Sequence, residues 1–114
     1  MITKHADDVR VDPVTVEGVE RTEIQWLLSK DDGAPNFALR RFTMKQGGSI
    51  PLHGHPWEHE IYILSGRARA FTETDSREVG AGDVLYIPPD EPHGYEVLGE
   101  EDLLFLCVVP SHAS

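Results

Sequence analysis

Several features that would point to particular classes of protein are scarce or missing in this sequence of 114 residues. Its single cysteine, Cys107, cannot form an intrachain disulfide, so nothing indicates an oxidising compartment. No apolar run approaches the roughly 18 residues that a membrane-spanning helix needs, and the first residues lack the apolar core of a signal peptide. We therefore expect a soluble, cytoplasmic protein that has no membrane partner.

Basic residues are also few. Ten lysines and arginines stand against 20 aspartates and glutamates, which gives a formal net charge of −10. Nucleic acids are bound by patches of lysine and arginine, so this balance argues against a nucleic-acid partner. The acidity is interpreted as an aid to solubility. At this length and with 39% hydrophobic residues, the chain is long enough for one domain with a single core.

No segment has a convincing helical periodicity with a cap. Instead, short runs rich in β-branched and aromatic residues alternate with turns rich in Gly, Pro and Asp, a pattern typical of a β-sandwich or small barrel. The predicted strands are Thr22–Ser29, Phe37–Met44, Ile61–Leu64, Ala68–Thr72, Val84–Ile87, Tyr95–Leu98 and Leu103–Val109. The sequence thus predicts an all-β fold in which residues 21–114 form a barrel and residues 1–20 form an irregular arm or an edge strand.

Four of the six histidines lie where they could surround one metal ion. His53, His55 and His59 fall within the stretch H-G-H-P-W-E-H, and His93 follows the rigid turn P-P-D-E-P. Imidazole is the commonest metal ligand near neutral pH because it is largely uncharged there. Residues two apart on a strand share a face, so His53 and His55 can point the same way. His5 and His112, near the ends of the chain, are given no role.

Two spaced motifs in these segments resemble those of the cupin superfamily. The first cupin motif, G-x5-H-x-H-x(3 or 4)-E-x6-G, is similar to residues 47–66, and the second, G-x5-P-x-G-x2-H-x3-N, is similar to residues 82–97. The resemblance implies a single-domain jelly-roll barrel, also called a double-stranded β-helix. Asp90 stands at a motif glycine and Val97 at the motif asparagine, both outside the ligand positions.

The resemblance also implies the metal ligands. His59 stands where the motif has its ligand glutamate, because only His59 leaves three residues before it and six before Gly66. Glu60 fits the longer first gap but leaves five residues before Gly66, so we expect it not to bind the ion. The implied ligand set is His53, His55, His59 and His93.

The stretches A-P-N-F, H-P-W-E-H-E-I and F-L-C-V-V-P resemble the small tetra-histidine manganese cupins. That group is linked to oxygen or peroxide chemistry, including oxidative cleavage of alkenes. Manganese is favoured by the resemblance alone, since imidazole ligands equally suit Fe, Ni, Cu or Zn. Four protein ligands on an octahedral ion would leave room for an oxidant and a substrate oxygen.

Other residues are candidates for the pocket around the metal. Arg40 and Arg41 are adjacent on a predicted strand, and the resemblance favours Arg40 as the inward one. There it could hold an anionic group, while a salt bridge with a carboxylate is the alternative. Cys107 is grouped with it as a candidate catalytic residue. If its strand face lines the site, Cys107 would be exposed to oxidants.

Three aromatic residues are possible pocket walls. Phe105 shares a strand face with Cys107, and Phe42 could lie opposite that face. The alternative for all three residues is that they fill the apolar core. Trp57 is expected to pack over the mouth of the site or in a subunit contact. Glu58 and Glu60 could orient the ligand imidazoles or form a solvated rim.

Three functions are weighed. The first is a redox enzyme, a dioxygenase or peroxygenase that acts on a small-molecule substrate with O₂ or peroxide. The second is a metal-dependent isomerase, epimerase or lyase, which needs an acid–base group that Arg40, Tyr62, Tyr86 or Tyr95 would supply poorly. The third is a small-molecule-binding cupin without catalysis. The apolar run Leu103–Val109 would bury its second face against another subunit, so we expect a homodimer.

Overall fold

The computed structural model describes residues 1–114, and strands dominate it. Strands β1 to β9 are Asp12–Pro13, Glu20–Leu28, Phe37–His53, His59–Ser65, Arg67–Thr72, Ser76–Gly80, Val84–Ile87, His93–Leu98 and Leu103–Pro110. Three single-turn 3₁₀ helices, Ala6–Asp8, Lys30–Asp32 and Ser111–Ala113, complete the secondary structure. The predicted all-β, single-domain jelly-roll fold is confirmed. No helix in the structure has the length and apolar character needed to cross a membrane.

The strands follow the order β6-β5-β8-β3-β9-β4-β7, with β2 also paired to β3 and β1 to β2. Strand β3 joins the two halves of the roll. Its first part, residues 37–44, lies between β2 and β9, and its last part, residues 49–53, pairs with β8. The change of partner occurs around Gly47. This residue has φ of +79°, a conformation that glycine adopts with little steric strain. The long β3 therefore carries the chain from β9 to β8 and places His53 beside β8.

Inward-facing side chains form layers along the barrel, because alternate residues of each strand face the same side. In the layer farthest from the histidines, Met44 is paired with Leu103, and Ala68 is paired with Val97. Met44, Leu103 and Ala68 have no exposed surface. The next layer contains Phe42 and Phe105, whose rings stack with centroids 5.0 Å apart. This end of the barrel is a filled apolar core.

The N-terminal arm folds back on the outside of β2. The side-chain amide of Gln25 donates to the carbonyls of Ala6 and Val9, at 2.7 and 3.0 Å, and Gln25 is 4% exposed. Arg41 donates to the Gln25 side chain at 2.8 Å and to the carboxylate of Asp7 at 3.1 Å. A buried amide whose hydrogen bonds are satisfied in this way fixes the arm in one position.

Two elements differ from the strands predicted by sequence. Strand β3 runs on to His53, nine residues past the predicted end at Met44, because its second half pairs with a different strand, β8. Strand β6, Ser76–Gly80, was not among the predicted strands. Its residues are polar and mostly exposed, so it lacks the apolar alternation of a half-buried strand. It is an edge strand held by backbone pairing with β5.

Candidate metal centre

The four histidines come from three separate places in the barrel. His53 ends β3 and is paired directly with His93, the first residue of β8. His59 is the first residue of β4 and is paired with Ile87 of β7. His55 lies just beyond β3, in the bend before β4, so it does not share a strand with His53 as the spacing predicted. Strand ends, which are rigid, thus position three of the four rings.

Backbone contacts tie the two histidine segments together. The backbone N–H of Asp90 donates to the carbonyl of His55 at 2.7 Å. Asp90 has φ of +66°, the left-handed conformation in which the cupin motif has glycine. Aspartate is one of the few residues that tolerate this conformation. The departure from the motif at position 90 therefore preserves the turn that precedes His93.

The four rings form one cluster. The candidate ligand atoms of His53, His55 and His93 all lie within 4.8 Å of one another. The ring centroid of His59 is 5.1 Å from those of both His55 and His93. The centroids of His53 and His93 are 4.4 Å apart. The structure thus brings together all four histidines that the sequence predicted as ligands.

Two of the rings are oriented by backbone carbonyls. Nδ1 of His53 lies 2.9 Å from the carbonyl oxygen of Pro51, and Nδ1 of His93 lies 2.9 Å from that of Glu91. A carbonyl only accepts, so in each ring Nδ1 carries the proton and donates it. The lone pair of Nε2 is then free to bind a metal ion. This support from a neighbouring acceptor is the usual arrangement around metal-bound histidines.

Burial favours the uncharged form of three of the rings. Desolvation, followed by the charges of His53, His93 and Arg40, lowers the pKa of His55 to about 4. Desolvation and the Arg40 charge lower the pKa of His59 to about 3. Burial also lowers the pKa of His93, against the opposing effect of its bond to Glu91. Neutral imidazole is the form that binds metal ions, so the site is ready for one at neutral pH.

His59 is held by a different pair of neighbours. Its Nδ1 lies 3.1 Å from a terminal nitrogen of Arg40 and 3.3 Å from Sγ of Cys107. The same Arg40 nitrogen donates to Cys107 Sγ at 2.9 Å. Arginine only donates, so Nδ1 can either accept from Arg40 or donate to the sulfur. Only the second choice leaves the Nε2 lone pair free for a metal ion.

Nε2 of His59 is buried and has no hydrogen-bond partner in the protein. An unsatisfied polar atom in a buried position is costly, and native proteins leave few of them. His53 and His93 each have a free Nε2 lone pair, His55 lies beside them, and Nε2 of His59 has no partner. Imidazole ligands of this kind suit a divalent transition metal. The ligand atoms of His53, His55 and His93 lie close enough together to hold a metal ion, and His59 stands beside them as the fourth ring of the cluster.

A cavity of about 280 Å³ lies beside the cluster and is lined by all four histidines. Its lining also includes four residues that the sequence predicted for the pocket, Arg40, Phe42, Phe105 and Cys107. The cavity wall is mostly apolar, and Tyr95 contributes to it from β8. A larger and more open groove of about 520 Å³ on the other side of β8 touches only His93 of the four. The smaller cavity is therefore the one that adjoins the whole histidine cluster.

Arg40 faces into this cavity without a carboxylate partner, so the salt-bridge alternative is not observed. Its guanidinium carbon lies 5.4 Å from the ring centroid of Trp26 and 4.9 Å from that of Phe42. Aromatic faces stabilise such a cation. Its Nε is buried and has no hydrogen-bond partner. Arg41, the outward neighbour, has instead the ion pair with Asp7.

Trp57 stacks on a candidate ligand and does not line the cavity. Its ring is nearly parallel to that of His55, with centroids 5.0 Å apart. His112, given no role by the sequence, packs edge-on against Trp57 at 6.1 Å. Glu58 and Glu60 are exposed, and neither lines the cavity. Trp57 thus fixes the orientation of His55 from behind, and the two glutamates form an outer rim.

The sequence did not predict the contribution of the N-terminal arm. Val16, Glu17 and Val19 line the cavity, and Glu17 is the only carboxylate in its wall. The cavity is also lined by Pro51 and Leu52, the two residues before His53. The stretch V-T-V-E-G-V, residues 14–19, marked the arm as partly apolar, but no spacing rule connects residues 16–19 with the histidine motifs.

Comparisons with known proteins agree with this geometry. A family model described as the cupin domain matches residues 40–109, which include all four histidines. The oxalate-binding protein of Thermotoga maritima is 36% identical over 96 residues, a match that covers 81% of this chain and 78% of that protein. An uncharacterised protein of Methanocaldococcus jannaschii is 42% identical over 71 residues, 61% of this chain and 57% of that protein.

A solved structure gives the same result for the fold. The structure of the polyketide cyclase RemF from Streptomyces resistomycificus matches with a TM-score of 0.91 and 36% identity. The match covers 97% of this chain and 80% of that one. The likeness therefore extends beyond the histidine segments to nearly the whole of the fold described above.

Proposed function

Since the chain belongs to the cupin domain family, we propose that it is a metal-dependent enzyme with a four-histidine centre. In this proposal a small, mostly apolar substrate is oxidised in the cavity by O₂ or a peroxide. The observation that carries the proposal is the buried Nε2 of His59, which has no partner and belongs to a ring 5.1 Å from the rings of His55 and His93. Manganese remains the favoured ion because of the resemblance to the tetra-histidine manganese cupins.

Different residues of the site would bind the metal, hold the substrate and orient it. The four histidines would hold the ion without adding negative charge. A divalent ion bound in this way keeps its full charge and supplies Lewis-acid or redox chemistry. Phe42, Phe105 and Tyr95 would hold the apolar part of the substrate and exclude water, since all three are buried in the cavity wall. Arg40 would fix a polar or anionic group of the substrate.

The proposed reaction class is a dioxygenase or peroxygenase reaction, such as oxidative cleavage of a C=C bond. With O₂ the balance is simple, because each carbon of the broken double bond takes one oxygen atom and two carbonyl products result. Cys107, whose Sγ lies in the cavity wall, would be within reach of the oxidant. It is proposed as a pocket residue, together with Arg40.

A second candidate is a reaction without net oxidation, such as the cyclisation suggested by the likeness to RemF, or an isomerisation or elimination. It needs a proton-accepting group near the substrate. Burial raises the pKa of both Tyr95 and Cys107, which makes neither a good base at neutral pH. Glu17, at the cavity mouth, is the only carboxylate available. Because the interior of the cavity lacks a good proton acceptor, we favour the oxidative candidate.

Binding without catalysis is the third candidate. The name of the Thermotoga relative makes oxalate a ligand to consider. Oxalate is a small dianion, whereas this cavity is walled mostly by apolar and aromatic side chains. An oxalate dianion that enters this cavity loses its hydration, and an apolar wall offers it no compensating interaction. Only the metal and Arg40 would attract it. The cavity therefore suits an organic molecule better than oxalate.

One experiment separates the candidates. The protein is purified with its native metal, the metal is measured by elemental analysis, and a panel of alkenes, catechols and diketones is tested with O₂, with peroxide and without oxygen. We expect about one equivalent of a redox-active metal, and consumption of oxidant that depends on a substrate. Full occupancy by zinc, or turnover that persists without oxygen and peroxide, would contradict the oxidative candidate and support the second one.

We further propose that the protein is a homodimer. Outward-facing side chains of β4 and β7 are apolar, and Tyr62, Val84 and Tyr86 are 48%, 71% and 59% exposed. The neighbouring outward residues Leu106 and Val108 continue the same surface. A solvated sheet face normally carries polar residues, so a second copy is proposed to cover this one. Light scattering should give twice the chain mass, and Val84→Glu should give a monomer.

A further inference from the structure

The turn formed by Val16, Glu17, Gly18 and Val19, which we name the lip, lies at one side of the cavity. Three of its residues, Val16, Glu17 and Val19, line the same cavity as the four histidines. Val16 is 66% exposed, and Leu52 beside it in the lining is 46% exposed. The exposed part of the lining marks where the cavity opens to solvent. The lip is therefore part of its mouth.

The lip is built to stay in one position. The N–H of Val19 donates to the carbonyl of Val16 at 3.1 Å, which closes a tight turn. Gly18 has φ of +84°, a conformation that suits glycine at the third position of a type II turn. A Cβ at Gly18 would lie 2.9 Å from Cγ of Pro51, so the turn packs directly on the residue two before His53.

The rest of the arm supports this position. The N–H of Val14 donates to the carbonyl of Thr22 at 3.0 Å, and β1 pairs with β2 just before the lip. Farther along, the buried Gln25 side chain holds the carbonyls of Ala6 and Val9. The arm is thus attached to β2 before the lip, and the lip leads directly into β2 at Glu20, so it has a fixed place at the mouth.

The lip presents two kinds of surface to an entering molecule. Val16 and Leu52 make the mouth of the cavity apolar. Glu17 adds one carboxylate, which is exposed and makes no ion pair. Arg40, the positive group of the lining, already contacts His59 and Cys107 deep in the cavity. The charged group at the mouth is therefore the negative Glu17, and no ion pair neutralises it.

We propose that the lip determines specificity: it admits uncharged, mostly apolar molecules and weakens the binding of small anions at the metal. This inference rests on the proposed four-histidine centre and adds the class of substrate. The physical cause is repulsion between the Glu17 carboxylate and an anion in the cavity, which grows with the charge of the anion. An uncharged ligand experiences no such repulsion.

The test measures the affinity of three probes for Co²⁺-loaded protein at pH 8 and low salt, by visible absorption. The probes are imidazole, azide and oxalate, which carry zero, one and two negative charges. We expect Glu17→Gln to leave imidazole affinity unchanged, to strengthen azide binding about threefold, and to strengthen oxalate binding about tenfold. The gains should shrink at about 0.5 M salt, where exposed charges are screened.

Glu20→Gln is the matched control. Glu20 is an exposed glutamate three residues from Glu17 that makes no ion pair and does not line the cavity. We expect this variant to bind all three probes as the parent protein does. Glu17→Lys should exceed Glu17→Gln in the gain of anion affinity. Elemental analysis after each titration verifies that Co²⁺ stays bound.

The possible failures are distinguishable. If the probes change the spectrum but Glu17→Gln has no charge-dependent effect, or Glu20→Gln has an equal one, the lip does not determine specificity and the metal centre stands. If the protein binds no Co²⁺, or no probe changes its spectrum, the four-histidine centre itself is wrong, and the role of the lip is overturned with it.

Discussion

Strands β3 and β9 run through both ends of one barrel, and the two ends are very different. At the closed end, Met44, Leu103 and Ala68 fill the interior and have no exposed surface. At the open end, the equivalent inward positions carry Arg40, Cys107 and the histidines around a cavity of about 280 Å³. The only buried side-chain nitrogens without a partner, Arg40 Nε, Trp57 Nε1 and His59 Nε2, all belong to this end.

This contrast indicates how the chain separates stability from chemistry. Close packing at one end supplies free energy of folding, since buried apolar groups stabilise and cavities destabilise. The open end gives up part of that free energy by keeping polar atoms unsatisfied and a space unfilled. Proteins depart from good packing mainly at functional sites. The contrast can be tested by variants that act on one end at a time.

The largest effect on stability is expected at the closed end. Leu103→Ala removes a fully buried side chain, and it should lower the free energy of unfolding by about 3 kcal/mol, within the usual range for such a change. Urea denaturation measures this. The folded variant should still bind one equivalent of metal. A folded Leu103→Ala protein without a metal site would show that the two ends are not separable.

At the open end, His53→Ala should weaken metal binding by more than about a hundredfold, because loss of a ligand exceeds the loss of an outer hydrogen-bond partner. The metal-free protein should change in stability by only about 1 kcal/mol, since His53 is half-buried. Competition with a chelator measures the affinity. His5→Ala, which removes an exposed histidine far from the site, is the control and should have no effect.

A smaller effect is expected from Cys107→Ala, which removes the only acceptor for a proton on Nδ1 of His59. Arg40 then remains as the neighbour of Nδ1, and it favours the tautomer with the proton on Nε2, which cannot bind metal. We expect metal affinity to fall about tenfold. Cys107→Ser keeps an acceptor and should retain more of the affinity. Equal affinity in the two variants would exclude this role of the sulfur.

A last expectation concerns pH and again distinguishes the two ends. The pKa values of His55 and His59 in the folded protein, about 4 and about 3, lie below the ordinary value of 6.5. The unfolded chain therefore takes up protons first, and the metal-free protein should lose stability as pH falls from about 6.5 towards 4. Above pH 6.5 these two groups contribute no pH dependence.

Thermal or urea unfolding between pH 4 and 8 tests this expectation. His55→Phe should reduce the slope of stability against pH by at most about 1.4 kcal/mol per pH unit, the value for one proton. Leu103→Ala, at the closed end, should lower the whole curve without changing its slope. An unchanged slope in His55→Phe would contradict the assigned burial of this imidazole.

Much of the fold and of the site was predictable from local patterns. The alternation of apolar residues indicated most strands, and the fixed spacing of His53, His55, His59 and His93 indicated a cluster that the structure does assemble. Arg40, Phe42, Phe105 and Cys107 followed from strand parity and the resemblance, and all four line the cavity. The polar edge strand Ser76–Gly80 was missed because its pairing, not its side chains, makes it a strand.

The sequence by itself determined the β-rich character of this protein and the set of imidazoles available to a metal ion, because both depend on spacings along one strand or one turn. The tertiary structure decided that Glu17 and Val16 stand at the mouth of the cavity, that Trp57 stacks behind His55, and that Arg40 and Cys107 share Nδ1 of His59. These contacts join residues far apart in the chain. Their formation depends on how sheets fold over one another, which no local spacing encodes.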